Sequence, residues 1–98
     1  MTIETYQNIV SGQKSVTAAV GLSDASFSFT AAQLAAAQKC TICVTVAAEI
    51  LWSGSTPTAT YGVQILANGV YVLVGNKAIN NLLIFAGAAS VVTAILEW

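Results

Sequence analysis

The stretch from Cys40 to Gly75 constrains the fold of this chain most strongly, because it predicts three β-strands separated by a loop and a tight turn. Apolar and β-branched residues alternate over Cys40–Trp52, which is typical of a half-buried strand, and a slip in the alternation near Ala47-Ala48 predicts a kink or bulge. The only proline, Pro57, lies in a Gly/Ser/Thr-rich loop that cannot continue a strand. Asn68-Gly69 then separates two apolar runs, which predicts a hairpin with a type I′ turn, because both central positions of that turn need positive φ.

The rest of the chain predicts further short strands joined by turns. Loose alternation over Thr2–Val10 indicates a first strand or an extended N-terminal arm within residues 1–10, which Ser11-Gly12 is expected to end. The segment Thr30–Lys39 predicts at most one short helix, near residues 30–38, with Thr30 as its N-cap. Additional strands are expected at Lys14–Val20, Ser26–Phe29, Leu82–Phe85 and Ser90–Trp98, with a loop at Asn76–Asn81. We therefore predict one all-β domain over residues 1–98, a small antiparallel sandwich, jelly roll or barrel of seven or eight short strands.

Charged side chains are scarce in this sequence. They make up 7% of the residues, whereas about a quarter of the residues are charged in ordinary soluble domains. The formal net charge is −1. A folded monomer of this size would expose roughly 5,000 Å², and a surface so poor in charge is prone to association. We therefore expect the surface to be buried in an assembly or a bilayer. Three scattered lysines without an arginine predict no nucleic-acid partner.

The two cysteines have the CxxC spacing that occurs in redox and zinc sites. Positions three apart on a strand point to opposite faces, so the thiols of Cys40 and Cys43 are expected to diverge. Zinc needs four ligands, and the chain has no histidine and no further cysteine. We interpret both as small buried apolar residues.

Catalytic motifs are not evident in the sequence. There is no histidine, the four acids lie far apart, Asp24 has no acidic neighbour, and no phosphate-binding glycine motif occurs. The prediction is a non-enzymatic protein with no catalytic, cofactor-binding or metal-binding residue and no cofactor. The N-terminal residues also lack the basic and apolar regions of a signal peptide.

Aromatic side chains raise the alternative of a sugar-binding shelf, because aromatic faces stack on carbohydrate. The candidates are Trp52, Tyr61, Tyr71 and Trp98. Packing in the core or at an interface also explains these residues and is the favoured interpretation. Tyr61, which follows the Pro57 loop, is expected to be the most exposed of the four.

A membrane-spanning helix is the third interpretation of the chain. Leu82–Leu96 is apolar and uncharged, but a spanning helix needs about 20 residues. Its β-branched content fits paired strands better. A small membrane protein of the lysis type is therefore the least favoured alternative.

The segment ILWSGSTPTATYGVQILANGVYVLVG resembles that of small bacteriophage virion proteins, the β-sandwich head-decoration or cement type. The likeness covers the chain from Thr30 onward, and it departs from the pattern in having no arginine and in placing Ser53 where an acid is common. The matching positions are Gly54, Pro57, Thr58, Ala59, Gly62, Leu66 and Gly69.

The resemblance implies a virion structural protein, assembled in the host cytoplasm, that stabilises the phage head. Its expected partners are copies of itself, as a homo-oligomer such as a trimer, and the major capsid protein or another virion protein. The alternative is a receptor- or glycan-binding module on a tail or head fibre, in which Trp52 and Tyr61 would contact the ligand.

Overall fold

Two four-stranded antiparallel sheets form the framework of the computed structural model, which describes residues 6–98. Sheet A has the strand order β1-β8-β3-β6, and sheet B has the order β2-β7-β4-β5. The strands are β1 (Ile9–Val16), β2 (Val20–Gly21), β3 (Lys39–Val44), β4 (Ala48–Leu51), β5 (Val63–Ile65), β6 (Val70–Val74), β7 (Leu83–Phe85) and β8 (Ser90–Glu97). The helices are α1 (Ala31–Ala36) and α2 (Asn76–Asn81), with a 3₁₀ turn at Ala25–Phe27. The predicted all-β fold is confirmed.

The hydrophobic core consists of alternate residues from the inner faces of both sheets. In β8, Val92, Ala94 and Leu96 are fully buried, and the residues between them are only half-buried. Ile50 of β4 and Ile84 of β7 are fully buried on the opposing sheet. This period of two is what a sheet with one covered face requires, and the strand predicted at Ser90–Trp98 is confirmed as β8.

The N-terminal strand runs differently from the prediction. Residues 1–5 of the predicted arm lie outside the described residues, and β1 begins at Ile9 and continues through Gly12 to Val16. Gly12 does not end the strand. It allows the backbone of Phe27 to approach, because a Cβ at residue 12 would collide with the Phe27 carbonyl oxygen.

The predicted strand at Ser26–Phe29 is also wrong. Asp24 caps the 3₁₀ turn there, since its Oδ1 accepts a hydrogen bond of 2.9 Å from the Ser26 N–H, and Ser28 has a left-handed φ of 63°. This local capping competes with strand pairing. Phe27 and Phe29 stack with ring centroids 5.9 Å apart, and Phe27 enters the core.

The chain passes from sheet A to sheet B between Val44 and Ala48, where the sequence predicted a kink in one strand. The irregularity lies where it was predicted, but the prediction of a single kinked strand is wrong, because the segment forms two strands of different sheets. Buried Ser90 holds the crossing: its Oγ donates to the Val46 carbonyl at 2.7 Å and accepts from the Val46 N–H at 3.1 Å. The crossing segment is thereby attached to the start of β8.

The helix near residues 30–38 is confirmed, whereas the predicted loop at Asn76–Asn81 is a second helix, so the limit of one helix was wrong. Thr30 and Gln33 form a reciprocal capping box at the start of α1. At its end, the Asn76 side-chain amide donates to three carbonyl oxygens, at 2.8–3.0 Å. Asn80 Nδ2 bonds the Leu34 carbonyl at 3.0 Å. Contacts with α1 therefore stabilise α2, which its own sequence would not favour.

The turn at Leu66–Gly69 is not the predicted type I′ hairpin, because β5 and β6 belong to different sheets. The Gly69 N–H donates to the Leu66 carbonyl at 2.8 Å. Asn68 has a φ of 60°, and Gly69 does not have a positive φ, so the turn follows the type II pattern. Ile65 is buried beside β4, and β6 pairs with β3, which directs the two strands into separate sheets.

Gly69→Ala should lower the free energy of unfolding by an amount on the order of 1–3 kcal/mol. The new Cβ would lie 2.7 Å from the Leu66 carbonyl oxygen and 3.0 Å from Ile65 Cγ2. Urea denaturation followed by circular dichroism measures this. Gly87→Ala is the control, because its Cβ would meet nothing closer than the Phe85 ring at 3.9 Å. Equal midpoints for both variants would contradict this turn geometry.

Candidate functional site

The cysteine pair does not form a site. Cys40 is fully buried, Cys43 is half-buried, and both are free thiols on opposite faces of β3. The predicted divergence is confirmed, but Cys43 faces outward and is not a core residue. Burial raises the pKa of the Cys40 thiol to about 12, because desolvation disfavours the thiolate.

Alkylation of the folded protein by iodoacetamide at pH 8 should therefore modify Cys43 alone. Mass spectrometry should show one added group under native conditions and two after denaturation, since Cys40 lacks both access and thiolate character. A Cys43→Ser variant serves as the control and should gain no group while folded. Rapid native labelling of that variant would contradict the burial of Cys40.

The four aromatic candidates do not gather into one shelf. Trp52 and Tyr71 contact each other with ring centroids 5.6 Å apart, and together with Trp98 they pack against the core. Tyr61 lies in the loop before β5, in a turn closed by backbone hydrogen bonds with Thr58, and 56% of its surface is exposed. The structure thus assigns three of these side chains to packing and leaves Tyr61 on the surface.

Asp24 has a structural role in the 3₁₀ turn. Its carboxylate lies 3.6 Å from Lys14 Nζ, and its pKa is lowered, first by the hydrogen bond from the Ser26 backbone and further by Lys14. Within residues 6–98, no cluster of three or more His, Cys, Asp or Glu side chains could hold a metal ion, and no ligand-sized cavity is found. In the same part of the chain, no helix combines the length and the apolar character needed to cross a membrane.

The outer face of sheet A is the most distinctive surface of the protein. It carries only two charged side chains among the outward residues of its four strands, Lys39 and Glu97, and these are paired across β3 and β8. Three cross-strand rows make up this face: Ile9–Glu97–Lys39–Val74, Ser11–Ile95–Thr41–Val72 and Gln13–Thr93–Cys43–Val70.

The apolar character of this face increases toward β6, the edge strand. Val70, Val72 and Val74 point outward and are 60%, 48% and 61% exposed. Leu66, in the turn before β6, is 68% exposed. No charged residue occurs anywhere between Glu49 and Lys77.

The backbone of β6 also has hydrogen-bonding groups that find no partner among residues 6–98. The Gly69 carbonyl accepts from the Val44 N–H, and the Gly75 N–H donates to the Gln38 carbonyl. The backbone N–H and C=O groups of the odd-numbered residues 69–75 therefore point toward β3. In an antiparallel pair the bonding direction alternates. The N–H and C=O groups of Val70, Val72 and Val74 therefore point to the open edge, which is the form that recruits another strand.

The sequence pattern did not predict that these three valines form an exposed surface. The run VYVLV in β6 is apolar at every position, so its pattern does not show which face is covered. The uncharged interval between Glu49 and Lys77 was the available signal.

Comparisons of this chain with protein-family models, with curated proteins and with solved structures found no match.

Proposed function

We propose that this chain is a non-enzymatic structural protein of a virion, a decoration or cement protein that associates with its own copies and with the capsid lattice of a phage head. The observation that carries the proposal is the exposed valine edge of β6, with its unprotected backbone groups. Natural edge strands are usually protected against pairing with another chain by charged residues, proline or a bulge. An edge strand without these protective features suits a protein whose edge is buried by a partner in an assembly.

The physical basis of cementing is mass action. A protein that binds the assembled shell, and not its separated subunits, stabilises the shell in proportion to the logarithm of its free concentration over Kd. A standard interface needs about 800 Å² from each partner, and the chain exposes 5320 Å². It therefore has room for contacts with both a sister copy and the lattice.

The loop that resembles the phage proteins is compatible with a structural role. Gly54 and Gly62 have φ values of 95° and 143°, which favour glycine, and Pro57 is fully buried. These matching positions shape the loop between β4 and β5. They bring no chemical group with them, so the proposed role of this loop is a structural one.

Co-sedimentation with undecorated phage capsids tests this function. We expect saturable binding to capsids, no binding to dissociated capsid protein, and a higher melting temperature of the decorated shells. The dissociated subunits are the control, because mass action requires preference for the assembled lattice. A folded chain that stays in the supernatant at every ratio would exclude the cementing role.

A receptor- or glycan-binding module is the second candidate, and the exposure of Tyr61 favours it. If this role is correct, Tyr61→Ala should reduce binding to host cells or to a glycan array at least tenfold, because stacking on an aromatic face would be lost. Tyr71→Phe is the control, since Tyr71 packs against the core. Unchanged binding by Tyr61→Ala, or no binding by the unsubstituted chain to host cells and glycans, would exclude this function.

A further inference from the structure

We propose that β6 pairs antiparallel with β6 of a second copy, around a two-fold axis at Val72, so that two copies of sheet A become one continuous eight-stranded sheet. The inference rests on the proposed function and names the first partner in the assembly. It assigns self-association to one strand and to one register.

The direction of the free backbone groups determines this register. Val70, Val72 and Val74 each direct an N–H and a C=O to the open edge, as shown above. With the axis at Val72, this residue lies opposite Val72 of the second copy, and Val70 lies opposite Val74. Each of these pairs would exchange two backbone hydrogen bonds, as hydrogen-bonded pairs of an antiparallel ladder do.

The side chains and charges fit a second copy. The same three valines are the exposed apolar residues of β6, and their spacing is symmetric about Val72, so the valines of the two strands would lie side by side on one face of the joined sheet. Lys39 and Glu97 share the row of Val74. That row would continue into the uncharged Val70 row of the second copy, so like charges do not meet.

The other edges are less suited to pairing. At the opposite edge of sheet A, β1 carries Lys14 with its Asp24 ion pair. In sheet B, β2 and β5 are two and three residues long, and short or charged edges are the usual protection against association. Among the edge strands described, β6 alone combines five residues, no charge and an apolar outer face.

Disulfide trapping tests the register. In the proposed dimer the Cα atoms of the two Val72 residues lie about 5.5 Å apart, within the range that a disulfide spans. Val72→Cys should therefore cross-link two copies under mild oxidation. Cys43→Ser must be the background, because Cys43 is the cross-strand partner of Val70 and would capture a cysteine introduced there.

Val70→Cys in the same background is the matched control. Its two copies would be displaced by four residues along the strands, about 13 Å, so no cross-link should form. Val70→Cys combined with Val74→Cys should restore cross-linking. Cross-linking of the single Val70→Cys variant equal to that of Val72→Cys would overturn the register.

Light scattering after size exclusion tests the edge without cysteines. The parent chain should be a dimer or larger, and Val72→Lys should reduce the mass at least twofold to that of a folded monomer. Val72→Pro should do the same, since the Val72 N–H is not bonded to β3 and proline is tolerated at such positions. Ser11→Lys is the control, because Ser11 is exposed in the same cross-strand row on the opposite edge and should leave the mass unchanged.

The outcomes separate this inference from the proposed function. A parent chain that is monomeric at all concentrations, but decorates capsids, would overturn the pairing and leave the cementing role standing. An associated parent that Val72→Lys does not dissociate would also overturn the pairing. Cross-linked, self-associated chains that ignore capsids would support the pairing and contradict the cementing role.

Discussion

The position of β8 between β1 and β3 is the constraint on which the rest of the structure depends. This last strand of the chain is a central strand of sheet A, and among the described strands it is the one that pairs with β1. Without it, sheet A would be reduced to the pair β3–β6. The inner residues Val92, Ala94 and Leu96 are fully buried, so β8 also supplies the middle of the core. These contacts join distant parts of the chain, and non-local strand pairing of this kind is slow to form.

Neutral hydrogen bonds provide the polar contacts that this charge-poor chain needs at the junctions between elements. Ser90 holds the crossing from β3 to β4 through Val46, and Asn76 satisfies the carbonyls at the end of α1. Within the described residues, every buried side-chain nitrogen or oxygen has a partner. An orphaned buried polar group costs about 1–3 kcal/mol, so these contacts matter for stability. Charged side chains are thus not needed at these junctions, and the fold is compatible with the charge-poor surface on which the proposed assembly depends.

The sequence predictions were accurate where interactions between residues close in sequence determine the structure, and wrong where contacts between distant residues do. Strands β7 and β8 and the capped helix α1 were predicted closely, because alternation and capping are local signals. Gly12 and Gly69 were misinterpreted as a strand end and a type I′ turn. Gly12 accommodates the Phe27 backbone, and Gly69 follows a turn that joins two sheets, and neither fact is visible in a short window. The proposed surface on β6 escaped notice for a related reason, since a fully apolar strand does not reveal which side a second sheet will cover.

The sequence by itself determined the fold class, the alternation of faces within each strand and the scarcity of charge, because side-chain period and composition are properties of short segments. The tertiary structure decided which strands pair, where the chain changes sheets and which edge stays open. Those choices depend on burying apolar faces from distant segments together, and the free energy of that burial belongs to the assembled core. Val70, Val72 and Val74 illustrate the division: their alternate spacing follows from the sequence, but the fold decides their exposure, because the core covers the opposite face of β6 and no described strand pairs with its outer edge.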